Sequence, residues 1–485
     1  MSNTIAAIAT AQAPGGIGVI RISGHAAFGI AQQLFSPKKP LDYSRLLGHT
    51  IAYGTLHEFP SPPNQSTLST VDRAQRSDGA PPQVAQRSDG VPPQVVDEII
   101  CLLFPAPHSY TGEHVVEFQC HGGMAVMQRA LQAVFAAGAQ PAGPGEFTRR
   151  AYENGRLNLT QAEAVMQLIA ATSQQAVRAA QAAMGGALSQ AIDQTRTELI
   201  ALQAHISAWV DYPEEDIPAL QNDEIAAVLQ AAQQDLHALI ARAPRDTLML
   251  QGINTALVGR PNVGKSSLLN VLAGYDRAIV TPTPGTTRDT LSETVQLGNL
   301  TLRLTDTAGI RHTEDGIEAA GVQRSHAALA QADLILAVFD ASQPFTKDDR
   351  DILSQCDPAR TIVVMNKCDL VVDKPLHAPH HFTTIQLSAL QQTGIDSLTH
   401  AIEQLLNTGS FNPNEAMLAN QRQRSCAQQA LCAINEAHVA HTAGYPLDAI
   451  SVCVEDAITH LFALTGQRAT EAVVDEVFAR FCVGK

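Results

Sequence analysis

One short segment constrains this chain more than any other. The segment GRPNVGKSS, residues 259–267, fits the pattern Gly-x-x-x-x-Gly-Lys-[Ser/Thr], with a strand-like NTALV before it and a helix-like SSLLNVLAG after it. That context is typical of a phosphate-binding loop, although a glycine-rich turn before an ordinary helix carries the same letters. In a phosphate-binding loop, the amides around Gly259 and Gly264 point at the phosphates. Lys265 would reach the β- and γ-phosphates, and Ser266 would coordinate Mg²⁺.

Four later motifs follow in the order and spacing of a GTP-binding domain. They are GTTRD at 285–289, DTAG at 306–309, NKCD at 366–369 and SAL at 388–390. Thr287 supplies a second hydroxyl for Mg²⁺, and Asp306 lies on the metal side. Asp369 can accept two hydrogen bonds from guanine, whereas adenine would leave this carboxylate unpaired. The predicted GTP-contacting residues are Asn262, Val263, Gly264, Lys265, Ser266, Ser267, Thr281, Thr286, Thr287, Asp306, Thr307, Ala308, Gly309, Asn366, Lys367, Asp369, Ser388 and Ala389.

One position departs from the common GTPase pattern. Ile310 follows Gly309, where many GTPases carry a Gln that orients the attacking water. Hydrolysis then needs another group for the water and another positive charge for the transition state. Asn262 is either a ligand for a monovalent cation beside the phosphates or an ordinary turn residue. Glu318 either orients the water or favours a helix start; the residues alone leave both choices open, and Arg311 is best interpreted as a solvated side chain.

Periodicity divides the chain into parts around this motif series. Short β-like runs and one helical run predict an α+β domain over residues 1–154. Ala- and Gln-rich helical patterns over 155–250 and 410–485 predict the two halves of an all-α domain. Alternating strands and helices over 251–409 predict a parallel α/β domain inserted between them, so the fold class is multidomain, α/β and α. Residues 60–96 contain AQRSDGAPPQV followed at once by AQRSDGVPPQV, and this polar, proline-rich composition predicts a disordered insertion.

Composition excludes several classes of protein. The 485 residues carry a formal net charge of −15, which argues against indiscriminate binding of nucleic acid. The eight cysteines include no Cys-x-x-Cys pair, so we expect reduced thiols. No apolar run reaches the ~18 residues of a membrane span, and no basic segment of a secretion signal precedes the first apolar stretch. We therefore expect a cytoplasmic protein that does not bind membranes.

Segments outside the nucleotide motifs resemble one family, the MnmE (also TrmE) tRNA-modification GTPases. They are PGGIGVIRISG, VEFQCHGG, GPGEFTRRAYENGRLNLTQAEA, DYPEED and the terminal FCVGK, and the resemblance covers nearly the whole chain outside 60–96. The resemblance implies a dimerising N-terminal domain that binds 5-formyl- or 5,10-methylene-tetrahydrofolate. The matching folate positions are Arg21, Glu117, Arg156 and Lys485, and the family often has Lys at the position of Arg156. Cys482 matches a cysteine considered catalytic in the family; from the residues alone it is equally a buried small side chain near a helix end.

The resemblance also implies a mechanism and partners. K⁺ is bound through the position of Asn262 and the loop residues Thr281, Thr283 and Thr286, and the ion replaces an arginine finger when two G domains meet. Glu318 matches the residue that orients the attacking water. With a flavoprotein partner, MnmG, in a heterotetramer, such a homodimer adds an aminomethyl or carboxymethylaminomethyl group to C5 of the tRNA wobble uridine. A ribosome-assembly GTPase and a signalling GTPase are the alternatives, and the folate-matching positions at both ends of the chain argue against them.

Overall fold

A computed structural model describes residues 3–46, 48–59, 94–212, 221–275, 292–306, 329–371, 381–467 and 469–484. Several predicted site residues lie outside these described residues: Thr281, Thr283, Thr286, Thr287, Thr307, Ala308, Gly309, Glu318 and Lys485. Asp306 is described by its backbone alone. The chain divides into two compact units, one formed by 1–162 with 469–485 and the other by 163–468. No helix in the described part of the chain is long and apolar enough to cross a membrane.

The N-terminal unit is built on a sheet with seven described strands in the order β3-β4-β5-β6-β2-β1-β7. All its neighbours are antiparallel except β1 and β7. The strands are β1 (Ile5–Ile8), β2 (Ile17–Ser23), β3 (Phe35–Pro37), β4 (Thr50–His57), β5 (Val95–Phe104), β6 (Val115–His121) and β7 (Gln140–Pro141). The helices of this part are α1 (Ala27–Leu34), α2 (Met124–Ala136) and α3 (Glu146–Glu153).

Strand alternation gives this sheet two different faces. Ile20 and Ile22 point to one face and are buried in a core with residues of α1 and α2. Arg21 lies between them in sequence and therefore points to the other face, where Phe147 of α3 is fully buried. The predicted insertion ends earlier than expected, because Val95 already pairs with His57 in the ladder between β4 and β5.

Helices from both sides of the inserted sheet share one apolar core in the second unit. The helices that contribute to this core are α6 (Ala187–Asp211), α7 (Asn222–Gln251), α11 (Gln421–Thr442) and α12 (Leu447–Thr465). Two shorter helices, α4 (Leu159–Ala170) and α5 (Gln174–Met184), precede them in the chain. The longest two, α6 and α7, contribute buried residues at helical spacing, among them Leu199, Ile206 and Leu236. Ile434 and Leu461 from α11 and α12 belong to the same core, so segments far apart in sequence fold together.

The inserted part is a six-stranded sheet in the order β13-β12-β11-β8-β10-β9. The strands are β8 (Ile253–Val258), β9 (Ser292–Leu297), β10 (Leu300–Asp306), β11 (Leu334–Asp340), β12 (Thr361–Asn366) and β13 (Thr383–Gln386). Its described helices are α8 (Lys265–Tyr275), α9 (Lys347–Ser354) and α10 (Ile395–Leu405). Only the β9–β10 pair is antiparallel among these described strands. The predicted multidomain fold class, α/β and α, is confirmed.

The last helix, α13 (Glu471–Ala479), belongs to the N-terminal unit rather than to the helical part. It contacts α3, and Arg149 of α3 donates a hydrogen bond to Asp475. Pro144 and Val483 then form an antiparallel β-bridge. The sequence-based boundary, which placed all of 410–485 in the helical domain, therefore differs from the structure over its last 17 residues. Local periodicity identifies a helix but not the unit against which it packs.

Candidate functional site

The carboxyl ends of four parallel strands bring the nucleotide motifs together. β8 ends at Val258 before the phosphate loop, β11 ends at Asp340, β12 ends at Asn366, and β13 is followed by Ser388. In an open parallel sheet these ends lie along one edge, which is where ligands bind in such folds. The sheet topology therefore places the phosphate loop beside the NKCD and SAL motifs.

Two glycines of the phosphate loop leave no room for a side chain. Gly259 has φ 147°, and a Cβ there would lie 2.2 Å from the carbonyl oxygen of Val338. Gly264 has φ 97°, and its Cβ would lie 2.1 Å from Nδ2 of Asn366. The loop ends where α8 begins at Lys265, so the first amides of the helix face the space enclosed by the loop. Close packing and the helix start together form a cradle for an anion.

Two side chains of the NKCD motif donate hydrogen bonds to the phosphate loop. Asn366 is buried, its Nδ2 donates to the carbonyl of Val263 at 2.9 Å, and its Oδ1 accepts from the amide of Ala389 at 3.0 Å. Lys367 adopts φ 62°, and its Nζ donates to the carbonyl of Asn262 at 2.9 Å. The predicted residues Asn262, Val263, Asn366, Lys367 and Ala389 are therefore brought together by direct hydrogen bonds.

Asp340, which no sequence motif predicted, completes this arrangement. Its Oδ2 accepts from Lys367 Nζ at 2.7 Å, and its Oδ1 accepts from the amide and hydroxyl of Ser342. Burial opposes ionisation of Asp340, but the hydrogen bonds from Lys367 and Ser342 outweigh it and hold its pKa below the ordinary value. The one sequence feature that could have indicated Asp340 is its place as the only charged residue of the strand LILAVFD, at the carboxyl end.

Asp369 carries an unsatisfied atom where a guanine base is expected. Its Oδ1 is shielded from solvent and accepts no hydrogen bond from the described residues. A buried acceptor without a donor is costly, so this site favours a ligand that brings N–H groups. Ser388 and Ala389 are buried near the end of β13, whereas the side chain of Leu390 is 86% exposed. The guanine N1–H and amino group are donors of the kind that Asp369 lacks.

A second candidate site lies on the face of the N-terminal sheet opposite α1 and α2. Arg21 and Glu117 are direct partners across β2 and β6, and Arg21 Nε donates to Glu117 Oε1 at 2.7 Å. The guanidinium carbon of Arg21 lies 5.5 Å from the ring centroid of Tyr110 and 5.6 Å from that of Phe147. These rings hold the guanidinium by cation–π contact. The predicted Arg156 is exposed beyond α3, and its Cγ would lie 3.5 Å from a Cβ at Gly112.

A buried ion network supports the loop that carries Tyr110. Arg150 donates to Glu113 Oε2 at 2.9 Å and to Glu146 Oε1 at 2.8 Å. Ser23 donates to the same oxygen of Glu113 at 2.8 Å. The Tyr110 hydroxyl shares a 2.8 Å hydrogen bond with Thr148, so the loop, β2 and α3 are joined. None of these residues was predicted, because most of their partners are distant in sequence and no motif singles out the Arg150–Glu146 pair within α3.

Cys482 is exposed in the N-terminal unit. Its carbonyl accepts a hydrogen bond from the amide of Gly145 at 3.3 Å. The alternative interpretation, a buried small side chain near a helix end, is wrong for this residue.

Two family models cover most of the chain. The model for the GTP-binding protein TrmE N-terminus matches residues 4–156, and the model for the MnmE helical domain matches residues 159–482.

The chain belongs to the MnmE family. It is 42% identical over 503 residues to the tRNA modification GTPase MnmE of Synechococcus elongatus, covering 100% of this chain and 99% of that protein. It is 38% identical over 488 residues to the protein of the same name from Acetivibrio thermocellus, covering 100% and 99%. A solved structure of an Aquifex aeolicus Era variant bound to GDP and aluminium fluoride is 26% identical, with a TM-score of 0.25, over 37% of this chain and 66% of that one.

Family membership confirms the predicted enzyme class, a GTP hydrolase of tRNA modification that binds GTP and Mg²⁺. Ser266 and Ser267 are exposed in the first turn of α8, where a metal-bound phosphate is expected. Asn262 is exposed with φ 64° on the rim of the loop. The remaining predicted metal ligands, Thr287 for Mg²⁺ and the threonines for K⁺, lie outside the described residues.

Proposed function

We propose that this chain is a K⁺-dependent GTPase that works in the cytoplasm on tRNA. With the flavoprotein MnmG it adds an aminomethyl or carboxymethylaminomethyl group to C5 of the wobble uridine. The observation that carries the proposal is the presence of two sites in one chain. One is a guanine-nucleotide site with an unpaired Asp369 oxygen, and the other is a separate Arg21–Glu117 pair in a TrmE N-terminal domain.

At the nucleotide site, the residues of the chain hold and select the ligand. The cradle formed by Gly259, Gly264 and the start of α8 binds the phosphates, and Lys265 adds positive charge. Lys265 Nζ donates to the carbonyls of Gly259 and Arg260 at 2.6 and 2.8 Å, so the ammonium already lies inside the loop. Asp369 selects guanine. Mg²⁺, held by Ser266 and Thr287, supplies charge neutralisation when bound.

K⁺ would take the place of an arginine finger. Asn262 presents its side chain from a left-handed turn at the loop rim, so its amide oxygen is available to a cation. We assign the other ligands to Thr281, Thr283 and Thr286, and the orientation of the attacking water to Glu318. When bound, the cation supplies positive charge near the transferring phosphoryl group.

The N-terminal site would take a tetrahydrofolate. Arg21 is fixed by two aromatic rings and one hydrogen bond, and Glu117 presents a carboxylate whose other oxygen can accept from a pterin N–H. Arg156 and Lys485 would add positive charge for the carboxylates of the ligand. Cys482 is exposed within the same compact unit and is proposed to be catalytic.

An exposed apolar strip on the N-terminal sheet supports homodimerisation. Tyr53 and Ile100 are cross-strand partners and are 48% and 41% exposed, and Ile51 on the same strand as Tyr53 is 71% exposed. Contiguous exposed apolar side chains commonly mark protein interfaces. We propose that a second copy of the chain covers this strip, and that the homodimer binds MnmG in a heterotetramer.

The decisive test is nucleoside analysis of tRNA from cells that lack this protein. We expect loss of the modified wobble uridine and its restoration by the wild-type chain but not by Arg21→Ala or Lys265→Ala. Normal tRNA in the deleted cells would refute the proposal. Saturable binding of 5-formyltetrahydrofolate, lost in Arg21→Ala but kept in Lys265→Ala, would separate the folate site from the GTP site.

Potassium dependence is tested separately on the purified chain. Replacing K⁺ by Na⁺ should slow GTP hydrolysis by about a hundredfold or more, because the cation is proposed to replace an arginine finger. Asn262→Ala should remove the difference between the two salts. Equal rates in K⁺ and Na⁺ for the wild-type chain would contradict the assignment.

A further inference from the structure

An ion pair joins the phosphate loop to a helix that belongs to none of the nucleotide-binding motifs. Arg260 follows Gly259 in the loop, and Asp349 lies in the first turn of α9. Arg260 Nε donates to Asp349 Oδ1 at 2.7 Å, and the side chains are 25% and 3% exposed. A charge-assisted hydrogen bond that is largely shielded from water constrains its partners more than a surface pair does.

Asp349 is held in place independently of Arg260. Its Oδ2 accepts from the amide and hydroxyl of Thr346, both at 2.8 Å, and its own amide donates to the Thr346 hydroxyl. This reciprocal arrangement is a capping box at the start of α9, where the helix dipole also favours a negative charge. The carboxylate is therefore a fixed acceptor, and the ion pair restrains the loop more than it restrains the helix.

The Arg260–Asp349 hydrogen bond restrains a part of the phosphate loop that the NKCD motif does not contact. That motif binds the carbonyls of Asn262 and Val263, near the end of the loop. Arg260 lies at its beginning, and the carbonyl of Arg260 accepts from Lys265 Nζ at 2.8 Å. A displacement of Arg260 would therefore move an acceptor of the lysine that neutralises the phosphates.

We propose that Asp349 is a positioning residue for guanine-nucleotide binding that acts through Arg260 to fix the first turn of the phosphate loop. The proposal depends on the GTPase class of the family and not on the K⁺ or folate assignments. The loop contacts the nucleotide both before and during hydrolysis, so its displacement weakens both states together. The loss then falls mainly on the Kd for GDP and the KM for GTP, with a smaller change in kcat.

The test is a double-mutant cycle on the full-length chain. Asp349→Asn, Arg260→Met and the double variant are compared for binding of a fluorescent GDP analogue and for steady-state GTP hydrolysis. We expect each single variant to weaken GDP binding about tenfold, and the double variant to be no weaker than the single ones, because all three remove the same contact. Asp349→Asn keeps the side-chain volume and an oxygen for Thr346, so it should fold.

Thr346→Val is the matched control. It removes the hydroxyl of the capping box but leaves the Arg260–Asp349 hydrogen bond, so it should destabilise α9 while GDP affinity stays within about twofold. Two results would overturn the proposal. One is a loss of GDP affinity in Thr346→Val equal to that in Asp349→Asn. The other is a double variant whose loss of GDP affinity equals the product of the losses in Asp349→Asn and Arg260→Met.

Discussion

At the scale of single residues, we propose that one unsatisfied oxygen of Asp369 decides which base is bound. Because Oδ1 has no donor among the described residues, guanine gains a partner that adenine does not provide. Asp369→Asn presents an N–H donor instead and should favour xanthine, which carries a carbonyl in place of the amino group. We expect GTP affinity to fall by about a hundredfold or more and XTP affinity to rise. Competition between GTP and XTP measures this, and unchanged GTP affinity would count against the assignment.

Gly264 provides a second prediction at this scale. A methyl group there would lie 2.1 Å from Asn366 Nδ2, at a φ that L side chains rarely adopt. Gly264→Ala should therefore displace the loop or Asn366 and abolish measurable GDP binding. Gly274→Ala in α8 is the control, because none of the described residues places an atom within 4 Å of the added carbon. The control should bind GDP normally and gain up to about 1 kcal/mol in unfolding free energy; GDP binding by Gly264→Ala at wild-type strength would contradict the steric argument.

Sequence spacing predicted the residues that share short motifs, and it failed where the partners are far apart in the chain. Lys265, Asn366 and Asp369 were predicted because each motif has a fixed chemical task in GTP binding. Asp340 and Asp349 act through contacts to other segments, so no local pattern distinguishes them from ordinary strand-end or helix-start residues.

At the scale of secondary-structure elements, a buried ion pair connects three helices, α4, α11 and α12. Arg422 at the start of α11 donates to both oxygens of Glu163 at 2.8 Å and to the carbonyls of Ala463 and Leu464 at the end of α12. Gln423 donates to the same Glu163 carboxylate. One guanidinium therefore satisfies two carbonyls at the buried end of a helix and the buried charge of a carboxylate that lies 259 residues away in sequence.

Removing this guanidinium should be costly. Arg422→Met leaves the carboxylate of Glu163 buried without its counter-ion, so we expect a loss of about 3–5 kcal/mol in unfolding free energy. Arg480→Met is the control, because its pair with Glu476 is exposed and one helical turn apart, and it should cost less than about 1 kcal/mol. Urea denaturation measures both, and equal losses would show that the buried pair has no special role.

Helical periodicity predicted α11 and α12, but it cannot show which charged side chain reaches the end of which helix.

At the scale of the whole molecule, the end of the chain completes the unit in which the chain begins. Phe481 is buried, its ring centroid lies 5.1 Å from that of Phe478, and its Cβ would lie 2.8 Å from a Cβ at Gly145. Gly484 approaches the backbone of Ile8 so closely that a Cβ would lie 2.3 Å from its carbonyl oxygen. The order of the motifs predicted an inserted G domain, but only the three-dimensional packing assigns the last 17 residues.

This packing predicts a selective defect. Phe481→Ala should remove about 3–5 kcal/mol from the stability of the N-terminal unit, the range for a buried Phe. We expect weaker binding of 5-formyltetrahydrofolate with GTP hydrolysis kept near the wild-type rate. Val483→Ala, at a side chain that is 53% exposed, should change neither property. Parallel loss of GTPase activity in Phe481→Ala would show that the effect is not confined to the N-terminal unit.

The pairing of the terminal segment with β1 and α3 has a consequence for biosynthesis. A ribosome delivers Ile8 and Gly145 long before Phe481 and Gly484, so the N-terminal unit gains these contacts only after the inserted G domain has been synthesised. A chain truncated before residue 469 would contain every nucleotide motif and still lack part of its N-terminal unit. Folding of the N-terminal unit therefore depends on residues that are synthesised after the whole inserted G domain.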